Sequence, residues 1–377
     1  MVNKTTFKQY LLEAEEKMPR AKSLKDLLNS EENGKFTKDG SKLKVVNLEY
    51  KLTSLTSLEG SPQSVSNFKF ELNLKLTSLK GGPQEVNRDF ECCDNISLIS
   101  LEGAPQLVGK SFYCTGNGIL ASLDGAPQSV GRSFYCRNNN ILTSLAGAPQ
   151  IVGDDVFCSH NAKLTSLAGA PQSIKHGFYC RKNPELTSLV GAPQIVGTNF
   201  YCENSPKLTS LKGAPQTVGG NFECNNNDGL TSLEGAPQSI VGWFDCANNA
   251  ELKSLIGSPQ TVHGYFNCGN NPKLESLEGA PKIINGWFSS KNNSSITSLA
   301  KINFYIHEIN GSRGIDFRGC PIKSNILSLL KIRGLKKVEF DDVNLQEIMN
   351  KHLPMGDSTD CIDDLLDAGY SKEYCKL

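Results

Sequence analysis

The sequence is poor in the features that mark membrane and nucleic-acid-binding proteins. No apolar run approaches the length needed to cross a bilayer. Its 39 basic and 39 acidic residues cancel, so the whole chain offers no excess positive charge to a nucleic acid or an anionic membrane. We therefore expect no membrane partner, and nucleic acid is a disfavoured partner.

Residue patterns that usually carry catalysis are also scarce. No phosphate-binding loop, Ser/His/Asp arrangement or His-rich metal motif is found. The chain has only five histidines, and they are scattered: His160, His176, His263, His307 and His352. We therefore predict a protein that is not an enzyme and that uses no cofactor and no metal.

The start of the chain lacks a continuous apolar segment and carries acidic residues early, so we expect no secretory signal. The chain nevertheless contains 13 cysteines. Without a signal, these predict reduced thiols in the cytoplasm rather than a disulfide framework.

The feature that dominates the sequence is a repeat of 22 residues. A proline two positions after a glycine recurs first after 21 residues and then after every 22. Each unit has Leu-x-x-Leu before the glycine, Val or Ile after the proline, then Phe-x-Cys and usually an asparagine. A single unit cannot bury its apolar residues, whereas stacked units cover one another. The repeat prolines are Pro62, Pro83, Pro105, Pro127, Pro149, Pro171, Pro193, Pro215, Pro237, Pro259 and Pro281.

These units predict an α/β-type repeat solenoid of about eleven coils, made mostly of strand and turn. We expect a right-handed coil with one parallel β-sheet formed by the Phe-x-Cys segments, whose Phe and Cys side chains point inward. The return segment around the proline is expected to form turns or extended backbone. Stacked asparagines would satisfy backbone groups of their own and the next coil. The nine cysteines from Cys92 to Cys268 are interpreted as small apolar residues of the interior.

The repeat also resembles a known family. Phe-x-Cys-x-x-Asn-x-x-Leu-x-x-Leu, as in Phe134 to Leu145, resembles the leucine-rich repeat core with one extra residue after the asparagine. The short unit is similar to bacterial effector repeats without a convex helix, and the phrase "LTSLxGAPQxVGxxFxC" resembles repeat proteins of large tailed phages. The likeness covers about Leu52 to Leu299. It implies a concave binding sheet and, for a phage protein, a host target in the host cytoplasm.

Three regions are predicted along the chain. Residues 1–41 form a helical N-terminal cap, residues 42–300 the repeat solenoid, and residues 301–377 an α/β C-terminal capping module. In that module we expect a helix over "SNILSLLKIRG" with Ser324 as its N-cap, a strand at "KKVEF", and helices over "NLQEIMNKHL" and "TDCIDDLLDAGY".

Aromatic residues also occupy positions that should face solvent. If Phe and Cys point inward, the residue between them points outward, and in five consecutive coils it is aromatic. A second aromatic run occupies the position just before the Phe. These two runs and the cationic residues beside the first are the predicted partner-binding residues: Tyr113, Tyr135, Phe157, Tyr179, Tyr201, Trp243, Tyr265, Trp287, Arg137, Arg181 and His160.

Two explanations compete for these outward aromatics. Tyrosines on neighbouring strands can stabilise one another as a ladder, or an exposed aromatic patch with arginines can recognise a partner. The sideways shift between the two runs favours recognition. We therefore predict a scaffold that binds a partner protein of unknown identity. Binding of nucleic acid or glycan by aromatic stacking, and a structural role in a virion, stay open, as does the oligomeric state.

Overall fold

The computed structural model describes residues 36–39, 42–51, 55–300, 302, 304–306, 314–356 and 358–376. The helices predicted for the N-terminal cap lie outside the described residues. The chain divides into two compact units, Met1–Tyr179 (unit 1) and Cys180–Leu377 (unit 2). Each unit is built from stacked coils joined by parallel strands, so the predicted parallel β-solenoid is confirmed.

Unit 1 begins with three longer strands. β1 (Phe36–Asp39) pairs antiparallel with β2 (Lys42–Lys51), which pairs parallel with β3 (Ser64–Glu71). β3 then pairs with two short strands of the next coil, since the extended backbone of that coil is interrupted between Val86 and Phe90. From here each coil has one short strand ending in Val or Ile, the Val strand, and one usually beginning with Phe, the Phe strand.

The Val strands and Phe strands of unit 1 are each two residues long. Within unit 1 the Phe strands pair in register at steps of 22 residues, as Phe112 does with Phe134. The Val strands are β4 (Glu85–Val86), β6 (Leu107–Val108), β8 (Ser129–Val130), β10 (Ile151–Val152) and β12 (Ser173–Ile174). The Phe strands are β5 (Phe90–Glu91), β7 (Phe112–Tyr113), β9 (Phe134–Tyr135), β11 (Val156–Phe157) and β13 (Phe178–Tyr179).

Unit 2 repeats the same pattern with parallel pairing in both strand columns. Its Val strands are β14 (Ile195–Val196), β16 (Thr217–Val218), β18 (Ser239–Ile240), β20 (Thr261–Val262), β22 (Ile283–Ile284) and β24 (Tyr305–Ile306). Its Phe strands are β15 (Phe200–Tyr201), β17 (Phe222–Glu223), β19 (Phe244–Asp245), β21 (Phe266–Asn267) and β23 (Phe288–Ser289). β25 (Gly314–Asp316) and β26 (Lys337–Glu339) extend the Phe column in parallel.

The Val strands were not expected from the sequence, which predicted turns or extended backbone on the return segment. Proline occupies the position before Gln-x-Val, for example Pro127 before Ser129–Val130. The residues after the proline keep their amide hydrogens, and Gly131 N–H donates to the Val108 carbonyl of the preceding coil at 2.9 Å. The proline therefore limits the strand to two residues without preventing it.

The interior is filled by columns of identical side chains. Phe90 and Phe112 stack with ring centres 5.2 Å apart and planes within 2°. The nine repeat cysteines are buried, and all 13 cysteines, every one of them within the described residues, are free thiols. Burial raises the pKa of the Cys136 thiol to about 12, so it is protonated at neutral pH. The expectation that these cysteines pack as small interior residues is confirmed.

Buried asparagines connect each coil to its neighbours. Asn139 accepts a hydrogen bond from the Asn117 backbone N–H at 3.0 Å. Its side-chain amide donates at 3.0 Å to the carbonyls of Cys114 and Cys136, one on the preceding coil and one on its own. One side chain thus satisfies three backbone groups at a turn, as the repeat predicted.

Glycine is required at the bend before each proline. Gly125 has a φ of 91°, a backbone conformation that other residues adopt only with strain. A Cβ there would also lie 2.7 Å from the backbone of Leu101 and Glu102. The sharp bend and the close approach of the preceding coil both exclude a side chain.

The end of unit 2 carries the helices. α1 (Val343–His352) and α2 (Ser358–Asp367) match the predicted segments, as does the strand β26. The segment "SNILSLLKIRG" instead forms a 3₁₀ helix, Ile326–Lys331, and its N-cap is Asn325 in the left-handed conformation. The assignment of Ser324 as N-cap was wrong, because Ser324 forms a parallel bridge with Ser298. The boundaries of the three predicted regions stay predictions.

Candidate binding face

The outward positions of the Phe strands in unit 1 carry a continuous aromatic stack. The ring centres of Tyr113, Tyr135, Phe157 and Tyr179 follow one another at 4.4, 4.5 and 4.6 Å, with planes within 11° of parallel. All four side chains are only half exposed. Each inner ring lies between two others, so its faces are covered and its edge meets solvent. In unit 1 the first aromatic run is therefore a self-packed ladder.

The cationic residues predicted beside this ladder have different positions. The guanidinium carbon of Arg137 lies 4.2 Å from the ring centre of Phe157 and 5.8 Å from that of Tyr135, so it covers the ladder. His160 is exposed in the turn that follows, with a left-handed φ of 62°. The structure brings Arg137 to the predicted aromatic residues and leaves His160 in the turn beyond them.

Unit 2 presents a different outward surface on its Phe strands. The position that holds aromatics in unit 1 starts with Tyr201 and continues with Glu223, Asp245 and Asn267, paired strand to strand. Glu223 accepts hydrogen bonds from the hydroxyl of Tyr201 and, at 3.1 Å, from the indole nitrogen of Trp243. The outward column changes from aromatic to acidic and amide side chains.

The position before the Phe changes in the opposite sense. In earlier coils it mostly holds small polar residues whose oxygens accept the backbone N–H of the next coil, as Asn199 does from Asn221 at 2.9 Å. Asn221 in turn accepts the N–H of Trp243 at 3.0 Å. From Trp243 onward the position is aromatic and has no such oxygen to offer. The aromatic residues thus replace a polar column that supports the backbone.

Trp243 and Tyr265 are the most open aromatic residues of the predicted site. Trp243 is 39% exposed and Tyr265 is 54% exposed. They line a cleft of about 310 Å³ together with Phe244, Asp245 and Asn267. Because residues before and after the Phe project to the same side of a strand, the aromatic and polar groups face one opening.

Trp287 has a packing role in the structure. It is half exposed, its ring lies against Gly314 without room for a Cβ there, and the Lys337 ammonium is 6.0 Å from its centre. The C-terminal strands β25 and β26 therefore cover part of this ring, and it does not line the cleft.

An acidic cluster, Glu203, Glu223 and Asp245, lies beside the cleft. Burial raises the pKa of all three carboxyls, and the charge of the neighbouring acid adds to the shift for Glu203 and Glu223. One predicted cationic residue, Arg181, reaches this cluster, with a nitrogen 3.4 Å from Glu203. Three carboxyl groups share one nearby guanidinium, so whenever they are ionised the negative charges of the cluster outnumber the positive one.

The cluster also holds acceptors that lack donors. Glu203 is 5% exposed, and its second carboxylate oxygen has no hydrogen-bond partner among the described residues. The side-chain oxygen of Asn225, one coil further on, is likewise buried and without a partner in the described part of the chain. Buried acceptors without donors are costly, so this surface is incomplete as it stands.

Sequence reasoning did not assign the acidic half of the site. Glu203, Glu223 and Asp245 were available by the same 22-residue spacing that identified the aromatic columns. Glu203 and Arg181 both follow a repeat cysteine directly, and that shared position was the signal for their pairing. The spacing alone did not reveal how deeply Glu203 is buried, since that depends on neighbouring coils.

Metal-binding clusters and membrane-spanning helices are two further kinds of site. Within the described residues, no cluster of three or more His, Cys, Asp or Glu side chains could hold a metal ion. No helix in the same part of the chain has both the length and the apolar character needed to span a bilayer. That the protein needs neither cofactor nor metal stays a prediction.

Known proteins do not extend these observations, since neither the protein-family models nor the curated proteins contain a match to this chain.

Proposed function

We propose that this protein is a non-enzymatic scaffold that binds a partner protein through the outward face of the Phe strands in unit 2. The supporting observation is the cleft lined by Trp243 and Tyr265, where large aromatic side chains are exposed beside half-buried carboxyl groups. Tryptophan and tyrosine are enriched among the residues that contribute most of the binding energy at protein interfaces. A repeat solenoid supplies a rigid surface for such contacts.

The aromatic ladder of unit 1 supports a different role for that surface. Its rings already cover one another, so their removal would mainly cost packing within the protein. We assign Tyr113, Tyr135, Phe157 and Tyr179 to the stability of unit 1. The two aromatic runs therefore have different roles, although both were predicted from the sequence to bind a partner.

Glycan binding is the second candidate, because aromatic faces and acidic or amide side chains also occur together in sugar sites. The cleft contains both kinds of group. The excess of carboxyl groups argues against a neutral sugar, which would leave the half-buried carboxyls of Glu223 and Asp245 without a counter-charge. A phage origin, host cytoplasm as the place of action and a host target follow from resemblance alone and belong to this proposal as expectations.

The test is a pull-down from bacterial lysate with two matched double variants. Trp243→Ala/Tyr265→Ala removes the open pair, and Tyr113→Ala/Tyr135→Ala removes two rings of the ladder. We expect the first variant to keep its melting temperature within a few degrees and to lose the partner. The second should melt lower and keep the partner while folded.

Circular dichroism on each bait separates lost binding from lost folding. A partner captured equally by native protein and by folded Trp243→Ala/Tyr265→Ala would overturn the assignment of this face. Loss of the partner only in folded Tyr113→Ala/Tyr135→Ala would move the site to unit 1.

A further inference from the structure

The cleft in unit 2 has the chemistry of a receptor for one kind of side chain. Trp243 and Tyr265 offer open aromatic surface, and Asp245 and Asn267 offer oxygen atoms at the same opening. Asp245 already accepts bonds from the Ala247 backbone N–H at 2.9 Å and from the Asn267 amide at 3.2 Å, both at the same oxygen. Its other oxygen remains for a ligand.

The charge around the cleft indicates a cation. Glu223 and Asp245 lie on paired strands in register, so two carboxylates project from adjacent coils. Arg181 compensates one acid at most, and its closest contact is with Glu203 rather than with the cleft. A bound cation would supply positive charge, and donors on it would reach the Asp245 oxygen that accepts neither of the two existing bonds.

We propose that the cleft binds the guanidinium of an arginine side chain carried by the partner protein, stacked on Trp243 or Tyr265, hydrogen-bonded to Asp245 and attracted by the charge of neighbouring Glu223. This inference rests on the proposed function. A planar guanidinium suits both halves of the cleft, because it stacks on aromatic faces and donates up to five hydrogen bonds in its plane. An ammonium group offers a point charge without the flat face.

The buried oxygen of Glu203 is the second, independent observation behind this proposal. Burial and the charge of Glu223 both raise the pKa of this carboxyl. A folded protein rarely buries such an acceptor without a partner. A positively charged ligand at the cleft stabilises Glu203 through the same field that now opposes its charge.

The experiment uses the full chain and the peptide acetyl-Gly-Gly-Arg-Gly-Gly-amide. Its matched control peptide replaces arginine by citrulline, which is neutral and nearly the same shape. The indole N–H signal of Trp243 reports on the site, because that group donates to Glu223. Trp243 and Trp287 are the two tryptophans of the chain, so a Trp287→Phe variant assigns the signal.

We expect a saturable shift of the Trp243 signal with the arginine peptide and at least tenfold weaker binding of the citrulline peptide. Glu223→Gln and Asp245→Asn each remove one negative charge and keep one side-chain oxygen as an acceptor. Each should therefore weaken binding of the arginine peptide by about tenfold. Glu91→Gln is the matched control in unit 1, where Glu91 holds the corresponding outward position and pairs with Lys69. It should leave binding unchanged.

Equal response to both peptides, or none to either, would overturn the arginine site. A shift caused by cellohexaose instead, unaltered in Glu223→Gln, would replace it with a sugar site. Either result leaves the proposed function standing if the pull-down still depends on Trp243 and Tyr265. If capture of the partner does not depend on those two residues, the proposed binding face itself is wrong.

Discussion

Single asparagines hold successive coils in register. In several of the described coils, a buried asparagine at this position makes three hydrogen bonds to backbone groups that water would otherwise satisfy. Asn227 does so for the N–H of Ser205 and the carbonyls of Cys202 and Cys224. Ser205 occupies the asparagine position in one coil and, among the described residues, makes only one of these hydrogen bonds. Its hydroxyl receives the Asn183 N–H at 3.4 Å, a longer contact than the neighbouring asparagines make.

Asn139→Ala should destabilise unit 1 by about 3 kcal/mol, because it leaves one buried N–H and two carbonyls with fewer partners. Urea unfolding followed by circular dichroism measures this. Asn140→Ala is the control, since that neighbouring side chain is exposed, and it should change stability by less than about 0.5 kcal/mol. Equal effects of the two substitutions would show that the buried asparagines do not hold the coils together.

Strands are the level at which sequence and structure diverge. The period of 22 and the alternation in Phe-x-Cys predicted the parallel Phe strands and their inward residues. They could not predict the Val strands, because two residues after a proline carry no alternation to detect. The acidic cluster was missed for a related reason. Glu223 follows Glu203 by 20 residues and Asp245 follows Glu223 by 22, so the three side chains come together only when the coils stack.

The carboxyl of Glu223 should lower the free energy of unfolding by an amount that depends on pH. The raised pKa of this carboxyl means that the folded state binds more protons than the unfolded state just above the ordinary carboxyl range. Stability therefore rises as pH falls through that range and is lower at pH 7, and the raised pKa values of Glu203 and Asp245 act in the same sense. Arg181 offsets part of this repulsion.

Glu223→Gln should accordingly raise the free energy of unfolding at pH 7 by about 0.5–1 kcal/mol, a modest value because the group is partly exposed. The gain should shrink towards pH 4, where the native carboxyl is protonated. Urea unfolding of both proteins across this range is the measurement. A variant less stable than native protein at pH 7 would mean that the hydrogen bonds from Trp243 and Tyr201 outweigh the repulsion.

The whole molecule uses one coil design for two purposes. In unit 1 the outward aromatic rings stack on one another, so they cover each other's faces and stabilise the surface. In unit 2 the aromatic residues from Trp243 onward lie just before the Phe instead of just after it, where two of them line a cleft together with Asp245. A repeat tolerates such exchange at outward positions because the inward Phe, Cys and Leu columns set the fold. The proposed binding face follows from that local exchange, with no change of architecture.

Photo-crosslinking from the cleft tests the binding face most directly. The photoreactive residue p-benzoylphenylalanine replaces Tyr265 in one sample and, as a control, Lys253 in another. Lys253 is exposed in the Leu-x-x-Leu segment of unit 2, away from the Phe strands. We predict a discrete crosslinked protein from position 265, absent from position 253 and abolished by Trp243→Ala. The same adduct from both positions, or one that survives Trp243→Ala in folded protein, would contradict the account.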